Sequence, residues 1–262
     1  ERLRMLGAND VDVMGNLKFD MTPPPAQLAL GARWRERFGE RKVWLAASTR
    51  DGEESLVLQA RAMLAASSEV GRRSLLVLVP RHPQRFDEVA EMLDRVRIHY
   101  VRRSTWADDD TSLPADVDVV LGDSMGEMAA YFSAADVAFI GGSLLPLGGQ
   151  NLIEACAAGT PVVFGPHMFN FTQASENALT AGAAGRVSEA GDLATALAEP
   201  PVVVDQQLGQ CRRKVTGVSR CARPPCCSRN SIRARPRVPS PRWGVGSTRA
   251  LPSRRTDVAQ VQ

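Results

Sequence analysis

The sequence lacks any long hydrophobic run, although 44% of its 262 residues are hydrophobic. A transmembrane helix needs about 20 consecutive apolar residues, so no membrane span is predicted. The first residues, which begin at Glu1 rather than Met, also lack the pattern of a secretory signal peptide. We therefore expect one or two domains with a sizeable buried core, and we expect the chain to be part of a longer protein.

Cysteine is scarce before residue 200, where Cys156 stands alone. A single thiol of this kind, predicted on the core side of a helix, is typical of a reduced, cytosolic protein. The remaining four are Cys211, Cys221, Cys226 and Cys227. They include an adjacent pair and no Cys-x-x-Cys spacing, so structural zinc is not predicted. We expect no cofactor and no metal, and we interpret Asp108-Asp-Asp110 as a solvated loop, with a divalent-ion site as the alternative.

Acidic residues become rare after residue 199. Residues 1–199 contain 19 Lys+Arg and 27 Asp+Glu, a balance of −8, whereas residues 200–262 contain 13 and 2, a balance of +11. The second segment has no sustained apolar periodicity and is rich in Arg, Pro and Ser, so we predict that it is disordered. The abrupt change favours a tail translated outside its native reading frame. The alternative is a basic tail that binds nucleic acid. Two observations argue against it: the tail has a single aromatic residue, Trp243, and the preceding segment is negatively charged.

Short apolar runs alternate with helical patterns between residues 21 and 199. The predicted strands are 43–47, 75–79, 98–102, 117–121, 136–140 and 161–164. The predicted helices are 22–39 with Thr22 as its cap, 48–67, 83–95, 124–134, 151–159, 172–181 and 190–199. This alternation predicts an α/β fold with a doubly wound parallel sheet. We place the domain at residues 21–199, after a linker of residues 1–20 and before the tail of residues 200–262.

Polar or glycine-rich residues follow five of the six predicted strands. They are Ser48-Thr49, Arg81-His82, Asp123-Ser-Met-Gly-Glu127, Gly141-Gly-Ser143 and Gly165-Pro-His167. Because ligands of doubly wound sheets bind at the carboxyl ends of the strands, a parallel arrangement would gather these stretches on one edge.

The segment 137–155 combines a buried strand, a glycine-rich turn and the start of a helix. The turn contains Gly141, Gly142, Gly148 and Gly149, which allow sharp bends and close approach of a ligand. A helix from Asn151 would direct free N–H groups at this turn and attract phosphate. Glu154, one turn further, would reach a ribose diol. The alternative is a capping box formed by Asn151 and Glu154.

These motifs occur with others in a fixed order along about residues 9–198. The pieces are Gly15-Asn-Leu-Lys-Phe-Asp20, Ala47-Ser-Thr49 with Gly52-Glu-Glu54, Val79-Pro-Arg-His-Pro83, Gly122-Asp123 with Met125-Gly-Glu127, Gly141-Gly-Ser143, Gly149-Gln-Asn-Leu-Ile-Glu154, and Gly165-Pro-His167 with Phe169-Asn-Phe171. Together they resemble the bacterial 3-deoxy-D-manno-octulosonic acid (Kdo) transferases of lipopolysaccharide synthesis. Two positions depart from that pattern: Arg50 stands where His is common, and Gln150 replaces a His. Gln donates hydrogen bonds but does not titrate, so a proton-transfer role at position 150 is in doubt.

The resemblance implies a GT-B glycosyltransferase built from two Rossmann-like halves, of which this chain is the C-terminal one that holds the CMP-Kdo donor. The N-terminal half would carry the acceptor surface, the contact with the inner face of the bacterial inner membrane, and the catalytic base. No catalytic residue is therefore expected in this chain. The intact enzyme would transfer Kdo from CMP-Kdo to a lipid A precursor. The alternative is another nucleotide sugar, such as a UDP-sugar.

Donor-binding roles follow from the resemblance together with the chemistry of the side chains. Arg81 is a permanently charged fork suited to phosphate, with a plain surface arginine as the alternative. Ser48 and Thr49 would bond phosphate or carboxylate, or instead cap the next helix. His82 would donate to the donor or shape its turn.

The rest of the predicted site lies around the later strands. Gly126 would allow Met125 and Glu127 to offer backbone groups to cytosine, with a capping box of Ser124 and Glu127 as the alternative. Gly142 and Ser143 would face the sugar. We interpret Lys18 as solvated, with a contact to the donor as the alternative, and His167 as a turn residue. The complete predicted donor-binding set is Ser48, Thr49, Pro80, Arg81, His82, Met125, Gly126, Glu127, Gly142, Ser143, Gln150, Asn151, Leu152, Ile153 and Glu154.

Overall fold

The computed structural model describes residues 5–7, 21–106 and 112–199. Our interpretations of the linker around Lys18, of Asp108–Asp110 and of the tail of residues 200–262 lie outside the described residues. Within the described ranges, no helix has both the length and the apolar character needed to cross a bilayer.

Helices and strands alternate along the described chain. The helices are α1 (Pro25–Phe38), α2 (Glu53–Ser67), α3 (Glu69–Arg72), α4 (Phe86–Arg95), α5 (Met128–Ala134), α6 (Leu152–Ala158), α7 (Thr172–Thr180) and α8 (Ala190–Ala198). The strands are β1 (Val43–Thr49), β2 (Leu75–Pro80), β3 (Tyr100–Arg102), β4 (Val119–Leu121), β5 (Val137–Ile140), β6 (Val162–Phe164) and β7 (Ala184–Arg186). Short 3₁₀ helices at Pro83–Arg85 and Arg103–Thr105 lead out of β2 and β3.

All described strands belong to one parallel sheet, in the order β3-β4-β2-β1-β5-β6-β7. Nearly every residue of β1, β2 and β5 is buried, which explains their continuous apolar sequences, because both faces of a parallel sheet are covered. Leu45 faces a layer formed by α1, α5, α6 and α7, which includes Trp34. Its neighbour Trp44 faces the layer of α2, α4 and α8, where Val57 and Leu193 are fully buried. This alternation distributes the core over both faces of the sheet.

The predicted fold class, a Rossmann-like doubly wound α/β fold with a parallel sheet, is confirmed. The six predicted strands are present, with shorter bounds for several of them. β7 was not predicted, because its three residues Ala-Gly-Arg carry no apolar pattern and, among the described strands, pair only with β6.

The predicted cap at Thr22 is wrong, and so is the alternative in which Ser48 and Thr49 cap a helix. α1 begins at Pro25, directly after Pro24, without a side-chain cap, so Thr22 does not have that role. Pro25 can begin the helix because the φ of proline already suits a first helical turn. α2 begins at Glu53 after Gly52, which has φ of 85°, so neither Ser48 nor Thr49 caps it. Cys156 is buried in α6, as predicted.

Candidate functional site

A cleft opens at the carboxyl edge of the sheet, where β1 and β5 are neighbours. Its volume is about 150 Å³, and it is lined by Ala47, Ser48, Arg81, Met128, Phe132, Ile140, Gln150, Asn151 and Glu154. From β1 the chain continues to β2 on one side of the sheet, and it returns in β5 on the other side. Such a reversal of strand order separates the loops above it and is where ligands of doubly wound sheets bind.

Arg81 projects from the end of β2 into this cleft. Its backbone N–H donates to the carbonyl of Thr49, at 3.0 Å, which joins the ends of β1 and β2. Its Nε donates to Oε1 of Gln150, at 3.2 Å. The guanidinium is also close enough for its charge to oppose the upward shift of the Glu154 pKa. Arg81 and Glu154 therefore belong to one cleft and not to opposite edges of the sheet.

Asn151 and Glu154 form a connected pair at the start of α6. Asn151 caps the helix, because its Oδ1 accepts from the N–H of Ile153 at 3.1 Å. Its Nδ2 donates to Oε1 of Glu154, at 2.8 Å. The pair differs from a capping box, in which Glu154 would bond the backbone N–H of Asn151. The side chains of Leu152 and Ile153 are buried in the core below the cleft.

Burial raises the pKa of the Glu154 carboxyl, and this effect exceeds the opposing influence of the Asn151 hydrogen bond and of the Arg81 charge. A carboxylate that is poorly solvated gains more from a new hydrogen-bond donor than one in bulk water does. Glu154 is consequently well suited to accept hydrogen bonds from ligand hydroxyl groups in the cleft.

Glu53 anchors the glycine-rich turn that follows β5. Its fully buried carboxylate accepts from the backbone N–H groups of Arg50 at 3.0 Å, Ser143 at 3.0 Å and Leu144 at 3.1 Å, and also from that of Gly142. Gly142 has φ of 68°, which turns successive N–H groups toward a common point. The anion that this turn holds is therefore a side chain of the protein.

Ser143 is fully buried, and its hydroxyl joins the ends of two strands. It donates to the carbonyl of Ile140 and accepts from the N–H of Gly165 at 2.8 Å. The carbonyl of Ser143 accepts from the N–H of His167, at 3.0 Å, which places His167 in a turn. The cleft is not lined by the Ser143 side chain. A role for Gly142 and Ser143 at the sugar remains a prediction, and the side-chain bonds of Ser143 are structural.

At the end of β1, Ser48 and Thr49 differ in environment. Ser48 lines the cleft and has φ of 56°, an uncommon conformation for a residue other than glycine. Thr49 is buried, and its hydroxyl donates to Oε1 of Glu54 at 2.9 Å, an oxygen that also accepts from Arg85 at 2.8 Å. Burial raises the pKa of Glu54, against the effect of Thr49 and Arg85. Ser48 is therefore available to a ligand, while the Thr49 hydroxyl is engaged within the fold.

Two further predicted residues lie at the end of β2. Pro80 is buried and pairs with Thr49 in the sheet. His82 is exposed and directly precedes the 3₁₀ helix Pro83–Arg85. Neither residue lines the cleft.

Met125 and Gly126 are exposed and Glu127 is partly buried, and the loop that they form is not part of the cleft lining. Gly126 has φ of 77° and open space where a side chain would be. Glu127 accepts from Arg103 at 2.9 Å and from the hydroxyl of Ser124. It precedes α5 without making a side-chain cap, so the capping-box alternative is wrong although the hydrogen bond to Ser124 is present.

Glu53 was not among the predicted site residues, and neither were four apolar residues that line the cleft. The apolar residues are Ala47, Met128, Phe132 and Ile140. A sequence signal existed for Glu53, since it lies in the Gly52-Glu-Glu54 motif, but its partners are about 90 positions away.

No protein-family profile matches the chain. Over 189 residues it is 50% identical to the 3-deoxy-D-manno-octulosonic acid transferase of Bordetella pertussis, an alignment of 72% of this chain with 43% of that protein. The transferase of the same name from Haemophilus influenzae is 39% identical over 169 residues, which cover 62% of this chain and 37% of that protein. The crystal structure of the C-terminal CMP-Kdo binding domain of WaaA from Acinetobacter baumannii matches with a TM-score of 0.62 and 31% identity, covering 72% of this chain and 97% of that domain.

The chain belongs to the Kdo transferase family. It spans less than half the length of the two curated relatives. The resemblance to this family is thus confirmed, and the similarity to a solved CMP-Kdo binding domain agrees with the observed Rossmann-like fold.

Proposed function

We propose that this chain is the donor-binding half of a glycosyltransferase and binds CMP-Kdo in the cleft between β1 and β5. The observation that supports this most strongly is that Arg81, Gln150, Asn151 and Glu154 come together at the strand-order reversal. The relative from Acinetobacter baumannii, which matches 72% of this chain, is described as a CMP-Kdo binding domain.

In this proposal Arg81 binds the phosphate of CMP. A guanidinium offers five N–H donors, and the Arg81 Nε uses one of them on Gln150. That bond orients the planar group, which then presents its terminal nitrogens to two phosphate oxygens. When the bond between Kdo and phosphate breaks, negative charge grows on the leaving CMP, and Arg81 stabilises it. The N–H groups of residues 142–144 already bind Glu53, so we assign the phosphate to Arg81 together with the start of α6 at Asn151.

Glu154 accepts hydrogen bonds from the ribose hydroxyls. Its Oε1 also accepts from Nδ2 of Asn151 at 2.8 Å, and this bond holds the carboxylate in place. Met128 and Phe132 give the cleft an apolar wall. The loop of Met125, Gly126 and Glu127 recognises cytosine through its backbone, with Gly126 allowing close approach.

The intact protein transfers Kdo to a lipid A precursor in lipopolysaccharide synthesis. A hydroxyl of the acceptor attacks the anomeric carbon of Kdo and loses its proton to a base outside this chain. The bond from that carbon to the phosphate oxygen breaks, and CMP leaves with the electron pair. The acceptor surface and the contact with the inner membrane belong to the N-terminal half. This chain alone binds CMP weakly and transfers nothing.

Calorimetric titration with CMP tests the site. Arg81→Ala removes a charged hydrogen-bond partner, a loss worth about 1.5–3 kcal/mol, or roughly 10- to 150-fold in affinity. Glu154→Ala weakens binding in the same direction. The control is Arg72→Ala, because the Arg72 side chain is 67% exposed and pairs with Glu69 at 2.9 Å on α3. We expect its CMP affinity to equal that of the unaltered chain.

Unchanged affinity in both Arg81→Ala and Glu154→Ala would contradict the assignment of the site. Competition between CMP and UMP tests the donor itself. We expect CMP to bind more tightly, and a preference for UMP would favour a UDP-sugar donor instead.

A further inference from the structure

Glu53 is a charged residue with no exposed surface, at the first position of α2. Four backbone N–H groups converge on its carboxylate: one from Arg50 and three from the consecutive residues Gly142, Ser143 and Leu144. Burial of a carboxylate is very costly unless hydrogen bonds replace its lost hydration. The four donors satisfy that requirement, and they connect two segments about 90 positions apart in the chain.

The turn held by Glu53 also determines where two cleft residues lie. The carbonyl of Gly142 accepts from the N–H of Gly149, at 2.7 Å, which closes the loop between them. Gln150 and Asn151 follow directly, and both line the cleft. A displacement of Gly142 would therefore move the residue that orients Arg81 and the residue that holds Glu154.

We propose that Glu53 is a positioning residue for donor binding, acting as an internal anion that locks the turn Gly142–Leu144 and so places Gln150 and Asn151. This role rests on the proposed function of the cleft. Glu53 makes no contact with the donor in this account. Its carboxylate binds the N–H groups of the turn Gly142–Leu144, so these groups are used within the fold.

The test compares Glu53→Gln with Glu69→Gln, since Glu69 lies exposed on α3. A Gln amide keeps one acceptor oxygen and replaces the other by an NH₂ group, which cannot accept the N–H bonds. Hydrogen exchange is followed in peptides from residues 141–151 and, for comparison, from β2. Calorimetry measures the affinity for CMP at a temperature where the variant is folded.

We expect Glu53→Gln to accelerate exchange at residues 141–151 at least about tenfold relative to β2 and to weaken CMP binding about tenfold. A purely structural role would instead raise exchange evenly across the fold and leave the affinity of the folded fraction unchanged. Either that even pattern or unaltered CMP affinity with a loosened turn would overturn the proposal. Glu69→Gln should change neither measurement.

If Glu53→Gln does not fold, Glu53→Ala with added formate decides. Formate is a carboxylate small enough for the space vacated, and we expect it to raise both the melting temperature and the CMP affinity of Glu53→Ala more than those of the unaltered chain. A rise in melting temperature without a gain in CMP affinity, an equal effect on both chains, or no effect would overturn the proposal. Titration of the unaltered chain with CMP separates the two ideas: absence of binding there refutes the proposed function, whereas normal binding with no effect of Glu53 refutes only the positioning role.

Discussion

Gly141 lies where β5 ends against β1, and its replacement by alanine is the sharpest test of the packing below the cleft. A methyl group on Gly141 would lie 2.4 Å from the carbonyl oxygen of Ser48 and 2.7 Å from the Cα of Thr49. Real Cβ atoms essentially never come within 3.0 Å of such neighbours. The strand ends would have to separate by more than half an ångström, because both contacts are with backbone and not with a flexible side chain.

The magnitude follows from two effects. Overpacking of a well-packed site costs about 1–3 kcal/mol. Separation of the strand ends also weakens the 2.8 Å hydrogen bond from the N–H of Gly141 to the carbonyl of Ala47, worth about 0.5–1.5 kcal/mol. We therefore expect Gly141→Ala to lower the free energy of unfolding by about 2–4 kcal/mol, a large part of the ~5–15 kcal/mol typical of a domain.

Urea denaturation followed by circular dichroism measures this loss. The matched control is Gly191→Ala in α8, where the nearest atom to the new methyl group is 3.7 Å away and the backbone is helical. Because alanine favours helices over glycine, this variant should gain up to about 1 kcal/mol. A free energy of unfolding for Gly141→Ala within about 0.5 kcal/mol of that of the unaltered chain would refute this packing argument, and so would a change of the same sign in both variants. The comparison uses variants with equal m-values, because the extrapolation to water carries an error of its own.

Two further predictions concern charged side chains near the cleft. Burial raises the pKa of Glu154 above its ordinary value of 4.5, so the folded protein keeps this proton to a higher pH than the unfolded chain does. The free energy of unfolding therefore falls as the pH rises from the unfolded-state pKa to the folded-state pKa. Glu154→Gln does not titrate, so thermal denaturation should show it to be more stable than the unaltered chain at pH 7, with the difference vanishing below about pH 4; a difference that persists in acid would contradict this. Arg103 pairs with Glu127 at 2.9 Å and lies 4.8 Å from the ring centre of Trp34. Arg103→Ala should cost about 1–2 kcal/mol in urea denaturation, and a loss no larger than that of Arg72→Ala would refute a role for this contact.

Local sequence was sufficient to predict most of the fold. The strands β1, β2 and β5 are continuous apolar runs because both of their faces are buried, so composition alone reveals them. Gly39 and Gly159, which follow α1 and α6 with positive φ, mark helix ends through a conformation that favours glycine. β7 carries no such pattern, since its pairing with β6 and not its own residues makes it a strand.

The candidate site, like the fold, could be predicted from the sequence only in part. That polar residues after the strands share one edge could be predicted, because parallel strands place their carboxyl ends together. Arg81, Asn151 and Glu154 accordingly lie in one cleft. The sequence offered no means to decide that the Ser143 hydroxyl is engaged by Ile140 and Gly165, or that the Thr49 hydroxyl is engaged by Glu54.

By itself, then, the sequence determined the parallel α/β architecture, the order of the family motifs and the edge on which they lie, because each depends on periodicity or on residues close together in the chain. Only the tertiary structure decided which polar groups remain available to a ligand and which are used within the fold. The clearest case is Glu53, whose partners Gly142 and Ser143 are about 90 positions away. Contacts over such distances arise from packing, and no local pattern of residues specifies them.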